Sequence, residues 1–233
     1  PEVAAREHLS AMRPVIKTAL KESGLSFDKI DGIAATGGPG LIGGVLVGTV
    51  TAKAMANASN LPYYAVNHLE GHALTPRFTH KLEFPYLLLL VSGGHTQLLS
   101  INALGKYERY GTTMDDAAGE AFDKGAKILG LSYPGGPSIE EAAKKGNPNA
   151  VRLPVPRQRY HDCHFSFSGL KTALATALSI HPKPVSIPDF AASLQAAISS
   201  SLVSRSAIAM EQFIASATYE KPPNFVVAGG VAA

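Results

Sequence analysis

The sequence predicts an α/β protein in two parts, and three observations carry that prediction. From Asp31 to a helix beginning near His68, strand-like runs alternate with helical ones, the pattern of a parallel α/β unit. At Phe84 the pattern changes to two apolar strands flanking Ser92-Gly93-Gly94-His95, which reads as a tight hairpin. From Ala118 onward the periodicity is helical. The change near Lys81 to Pro85 sets a boundary, giving a first lobe at 1–84 and a second at 85–233. With 45% hydrophobic and 17% charged residues, a chain of 233 can bury a sizeable core without staples.

Each element follows from local chemistry. Leu9, Met12, Ile16 and Leu20 recur at helical spacing within Val3 to Glu22, and Gly24 supplies a stop. Asp31 to Thr36 reads as a short strand, and the glycine run Gly37 to Gly44 opens a helix reaching about Asn60. Tyr63 to Val66 is the second strand, and the next helix starts near His68. In the second lobe, Tyr86 to Val91 and Thr96 to Ile101 form the hairpin, with Tyr107 to Thr112 as a third antiparallel strand. Helices are expected over Glu120–Leu129, Ser138–Lys145, Ser168–Leu178 and Pro188–Ala217, with breaks at Pro154–Pro156 and Pro182–Pro188. The run Phe225 to Ala233 reads as a buried strand and its turn, apolar enough to want neighbours on both sides.

Composition excludes several classes. The single cysteine, Cys163, rules out an internal disulfide framework or a multi-cysteine zinc site, as befits a reducing cytoplasm. No run approaches the roughly 20 apolar residues of a membrane span, and no signal peptide is evident. The net charge of +3 is compatible with RNA, yet no Lys/Arg block marks a binding face.

Four strings could carry chemistry. In Asn67-His68-Leu69-Glu70-Gly71-His72 the histidines sit four apart on one helical face, so both imidazoles can reach one ion such as zinc or iron. The plainer alternative is a helix start capped by Asn67 and Glu70. A His-Glu-x-x-His protease site is absent, because Glu70 lies about 200° around the helix from His68. Gly38-Pro39-Gly40-Leu41-Ile42-Gly43 matches a dinucleotide fingerprint but lacks an acidic ribose partner, and close helix–strand packing competes with a nicotinamide site. In Val91-Ser92-Gly93-Gly94-His95-Thr96 the glycines serve either a positive-φ turn or the close approach of a phosphate. In Asp115-Asp116-Ala117-Ala118-Gly119-Glu120-Ala121-Phe122-Asp123, Asp116 and Asp123 share a face if the helix starts early. They could then hold a ribose or magnesium, and a solvated helix start is the alternative. Ser168-Gly169-Leu170-Lys171 lacks its acyltransferase partner motifs, and Ser168 reads as a helix cap. His161-Asp162-Cys163-His164 reads as structural.

Together with Tyr133-Pro134-Gly135-Gly136, Phe165 to Thr172 and Ala228-Gly229-Gly230-Val231, these strings, in this order, closely resemble the bacterial TsaD (Gcp) family and its mitochondrial relatives. That family was formerly called O-sialoglycoprotein endopeptidase. The resemblance implies an actin-like ATPase, ribonuclease H-like, two-lobed fold. It implies transfer of a threonylcarbamoyl group from threonylcarbamoyl-adenylate to N6 of the tRNA adenosine beside the anticodon. His68 and His72 are then ligands of one divalent metal, iron or zinc. Leu90, Val91, Ser92, Gly93 and Gly94 form the substrate loop, and Asp123 and Gly136 contact ATP or the adenylate. Accessory proteins of the modification complex and a cytoplasmic location are also implied. The rival functions are a glycoprotein metallo-endopeptidase and a non-catalytic actin-like nucleotide-binding scaffold.

The same resemblance places an opening strand and acidic phosphate loop before Pro1. It places a third metal ligand, an aspartate, and an asparagine after Ala233. The sequence is therefore expected to be truncated at both ends, with an active full-length product and a largely inactive fragment.

Overall fold

The computed structural model describes residues 2–180, 185–219 and 221–232. It is mixed α/β, as the sequence predicts, and divides into two compact units, Pro1–Thr75 and Pro76–Ala233.

In the first unit, helix α1 (Glu2–Ser23) ends at Gly24, whose φ of +67° suits the glycine there. Strand β1 (Ile33–Gly38) pairs in parallel with β2 (Tyr63–Asn67), Ile33 opposite Tyr63, and helix α2 (Ile42–Ala58) makes the crossover. The glycine run does not open the helix directly: Gly37 and Gly38 close β1, and α2 begins at Ile42. The run serves close packing. A Cβ at Gly37 would stand 3.1 Å from the Ala65 Cβ, and one at Gly43 would stand 3.0 Å from the Ala5 Cβ. Helix α3 (His68–His80) follows β2 without a loop. Among the described residues of this unit only Ala52, Ala56 and Ala73 are buried.

The second unit is built on a four-stranded sheet: β3 (Tyr86–Val91), β4 (Thr96–Ala103), β5 (Lys106–Thr112) and β6 (Asn224–Ala228), in the order β5-β4-β3-β6. β3 runs antiparallel to β4 and parallel to β6. All six β3 residues are buried, which explains an unbroken apolar run where a half-exposed strand would alternate. Among the described residues β6 is an edge with β3 as its neighbour, so the apolar run there has one paired side.

Helices α4 (Ala118–Ile128), α5 (Gly135–Ala143), α6 (Ser168–Ile180) and α7 (Ile187–Ala215) complete this unit. Phe165, Phe167, Leu170, Leu174, Phe190 and Phe213 are buried with Leu87, Leu89 and Leu98 of the sheet in one core. At the start of α7, the Asp189 amide donates to the Ser186 hydroxyl at 3.3 Å. Part of the predicted break at Pro182–Pro188, and the last residue of the predicted final run, Ala233, lie outside the described residues. α5 begins three residues before its predicted start, because Gly135 packs against α4 (below). No helix among the described residues is long and apolar enough to cross a membrane.

Candidate functional site

The carboxyl ends of parallel strands are where open α/β sheets leave a crevice for ligands. In the second unit the parallel pair is β3 and β6, and three segments meet beyond their ends. The first is the turn Ser92–His95. Its Ser92 amide donates to the His95 carbonyl at 2.8 Å, and the His95 amide donates to the Ser92 hydroxyl at 3.1 Å. The second is the start of α4, where the Ala118 amide donates to the buried Thr96 hydroxyl at 2.9 Å. The third is the turn after β6. Gly229 has φ +107°, a Cβ there would stand 2.2 Å from the Val91 carbonyl oxygen, and the Val231 amide donates to that oxygen at 3.1 Å.

The glycines of these segments divide into two kinds. Gly119 and Gly135 are required by the fold. A Cβ on Gly119 would stand 2.7 Å from both the Gly93 Cα and the Ser92 carbonyl oxygen. One on Gly135 would stand 2.4 Å from the Asp123 Cα. Gly93, Gly94, Gly136 and Gly230 are different: a Cβ on any of them meets no protein atom within 4 Å. Nor do Gly93 and Gly94 adopt positive φ, so the turn itself does not require them, contrary to the left-handed alternative.

Gly93, Gly136 and Gly230 line a cavity of about 500 Å³ that lies wholly within the second unit. Asp123 of α4 and Glu140 of α5 bring carboxylates to it, and Asp123 Oδ1 also accepts the Gly135 amide at 2.8 Å. From α7 come Gln195, Ile198, Ser199 and Leu202, one helical stripe of alternating polar and apolar character.

Of the predicted nucleotide residues, Gly93, Asp123 and Gly136 thus come together. Leu90 and Val91 are core side chains of β3, 0% and 2% exposed, and they contribute the backbone that the turns hang from. Ser92 is engaged within its own turn, and Gly94 lies beside it outside the cavity lining. Sequence reasoning missed Glu140 and Gln195. Glu140 is one helical turn after Gly136 and was legible in principle, whereas nothing local marks Gln195.

The acidic string separates into three tasks, which corrects the expectation of a shared carboxylate face. α4 begins only at Ala118, so Asp116 precedes it and pairs with Lys124. Asp115 accepts from Ser166, from the Phe167 amide at 2.7 Å and from Ser168, and so satisfies the start of α6. The Ser168 hydroxyl donates to Asp115, so it is this carboxylate, not Ser168, that caps the helix. Burial pushes the Asp115 carboxyl up, but the hydrogen bonds outweigh it and hold it below the ordinary aspartate range. Only Asp123 reaches the cavity.

The histidine pair belongs to the start of α3. Asn67 Oδ1 accepts the Leu69 amide at 2.9 Å and the Glu70 amide at 3.3 Å, so the capping alternative holds for Asn67. The cap leaves the imidazoles of His68 and His72 side by side, with ring centroids 4.7 Å apart and planes at 71°. That separation suits two nitrogens converging on one ion. The pair fits part of a divalent metal's ligand set: among the described residues no cluster of three or more His, Cys, Asp or Glu is present.

A family profile described as "TsaD: tRNA N6-adenosine threonylcarbamoyltransferase" matches residues 1–233. The chain belongs to the TsaD family. It is 54% identical over 235 residues to the tRNA N6-adenosine threonylcarbamoyltransferase of Sinorhizobium medicae, covering 100% of this chain and 65% of that protein. It is likewise 54% identical over 237 residues to the Rhodospirillum rubrum protein of that name, again 100% of this chain and 65% of the relative. The chain therefore spans about 65% of the length of these relatives. Among solved structures, the activator of the 2-hydroxyisocaproyl-CoA dehydratase from Clostridium difficile with bound ADPNP is 18% identical, with TM-score 0.49 over 94% of this chain and 66% of that one.

Proposed function

We propose that this protein, as a TsaD family member, transfers a threonylcarbamoyl group from threonylcarbamoyl-adenylate to N6 of the tRNA adenosine beside the anticodon. The adenylate occupies the cavity of the second unit. The supporting observation is the set Gly93, Gly136 and Gly230: three cavity positions kept free of side chains although the fold has room for them. A ligand that needs backbone approach, such as a phosphate, gives those positions a reason.

The remaining lining suits a nucleoside. Asp123 and Glu140 accept from ribose hydroxyls, and Phe122, Ile198 and Leu202 offer apolar surface to the base. In the transfer, the tRNA amine bonds to the carbamoyl carbon, the bond from that carbon to the phosphate oxygen breaks, and AMP leaves with the electron pair. The amine gives up a proton. Such an amine is a weak nucleophile, so positioning and stabilisation of the leaving phosphate carry the reaction. A covalent route through Cys163 is disfavoured, because its side chain is 2% exposed and burial pushes the thiol's pKa up.

His68 and His72 would hold a divalent ion, iron or zinc, whose chemistry when bound is that of a Lewis acid. The reading includes ATP as an alternative nucleotide, magnesium as its companion ion, accessory modification proteins, an actin-like two-lobed architecture and a cytoplasmic setting. The test is transfer of labelled threonine to tRNA with synthetic threonylcarbamoyl-adenylate. Full-length wild type should label tRNA, and Asp123→Ala in it should lower the rate by about tenfold or more, the loss of one or two hydrogen bonds to the ribose. An Asp123→Ala variant as fast as wild type would remove the cavity from the reaction.

A further inference from the structure

The second unit has a second concavity, of about 690 Å³, away from the glycine-lined cavity and lined by a single loop that includes Arg152, Arg157, Gln158, Arg159 and Tyr160. Between Arg152 and His161 the sequence has three arginines and no acidic residue. We propose that this loop is a docking surface for single-stranded RNA, taking two phosphates on Arg152 and Arg159 and one unstacked base on Tyr160. It rests on the proposed tRNA reaction and adds where the substrate is held.

The three arginines are not equivalent. Arg157 is committed to the fold: its guanidinium pairs with Asp162 and donates to the Met114 sulfur at 3.2 Å. Arg152 and Arg159 are exposed, and neither has a carboxylate within 4.0 Å among the described residues. Tyr160 is 60% exposed, and the Arg157 guanidinium lies 4.4 Å from its ring centroid. A guanidinium on one side of an open aromatic ring is a platform for a nucleobase on the other.

The loop is also held in shape before any partner arrives. The buried guanidinium of Arg205 donates to the Tyr160 carbonyl at 2.5 Å and to the Asp162 carbonyl at 2.9 Å. Asp162 in turn accepts the His164 amide at 3.0 Å. Two unpaired guanidiniums on a fixed loop suit the planar, bidentate geometry of phosphates. The exposed Tyr160 ring in the same concavity favours single strands, whose bases are free to stack, over an acidic protein.

The experiment compares tRNA binding across a salt series for wild type, Arg152→Glu/Arg159→Glu, Arg152→Lys/Arg159→Lys and Tyr160→Ala, with ATP affinity as the check on folding. The double reversal should weaken tRNA binding by about tenfold or more and make the slope of log K against log salt shallower by about 1.4, two phosphates at about 0.7 each. The lysine pair should keep the wild-type slope. Tyr160→Ala should weaken binding by about tenfold with no change of slope. Wild-type affinity and slope in the double reversal overturn the proposal, as does loss of affinity for an acidic polypeptide alone. A wild type that transfers threonine while the reversal keeps its KM for tRNA sinks only this inference. A full-length wild type that neither binds nor modifies tRNA sinks the functional reading with it.

Discussion

Gly135 and Gly136 are adjacent, yet the structure assigns them opposite roles, and alanine separates them. At Gly135 a Cβ would lie 2.4 Å from the Asp123 Cα and 2.8 Å from the Phe122 carbonyl oxygen, both of which belong to α4. Backbone cannot rotate away, so α5 must lift off α4. Overpacking of this kind costs about 1–3 kcal/mol, and the bond from the Gly135 amide to Asp123, 2.8 Å long, is strained with it. At Gly136 a Cβ meets nothing within 4 Å. Replacing a helical glycine by alanine without strain restricts the unfolded chain and gains about 0.4–1 kcal/mol. Urea unfolding should therefore give Gly135→Ala a lower stability than wild type and Gly136→Ala an equal or higher one. Calorimetric titration with ATP reads the second half. The Gly136 methyl enters the proposed nucleotide space, where one misplaced carbon is worth about 1–3 kcal/mol, or tenfold and more in affinity. A stable Gly136→Ala protein that binds ATP as wild type does would refute the assignment of this cavity to the nucleotide.

Three other outcomes follow from single contacts. His72→Ala should lower the iron or zinc content of the purified protein, read by elemental analysis; unchanged content would break the ligand assignment. Thr96→Val keeps the shape of a buried side chain but leaves the Ala118 amide without its acceptor, so it should cost about 1–3 kcal/mol in urea unfolding; a cost below about 0.5 kcal/mol would mean that α4 is held otherwise. The Asp115 carboxyl is depressed in the folded state, so its contribution is fully present above the unfolded aspartate value of about 3.9 and is lost as pH falls through the lower folded value. Asp115→Asn should accordingly flatten the acid limb of the stability profile, and an unaltered acid limb would show that its hydrogen bonds do not discriminate between the two protonation states.

Much of the fold was legible because its signals are local. The apolar run Tyr86 to Val91, the hairpin spacing to Thr96 and the parallel β1–β2 pairing needed only period and punctuation. The misreadings share a cause: they concern glycines and carboxylates whose partners are distant in sequence. Asp115 finds its partners 51 to 53 residues away, at Ser166 to Ser168, so no window around it reveals a helix cap. The early start of α5 has the same origin, since the Gly135 amide bonds to Asp123, 12 residues back. Whether Gly93 serves a turn or an empty space is likewise a question about atoms that the string Ser-Gly-Gly-His does not contain.

The end of β3 explains why the cavity needs so little dedicated machinery. Val91 contributes its carbonyl to the Val231 amide, and its neighbour Ser92 closes the turn on His95. The Gly93 backbone, one residue further, packs on Gly119. The three walls of the site are thus fixed to three consecutive residues, Val91 at the end of a fully buried strand and the Ser92 and Gly93 that follow it. Their spacing is inherited from the register of the sheet, in which Leu90 faces Gln97 on one side and Ala228 on the other. Because both faces of β3 are buried, a one-residue slip would force close-packed side chains on each face to repack, and that register is strongly held. The glycines can then stay bare: the strand sets the position of the backbone, and the absence of side chains leaves its amides within reach of a ligand.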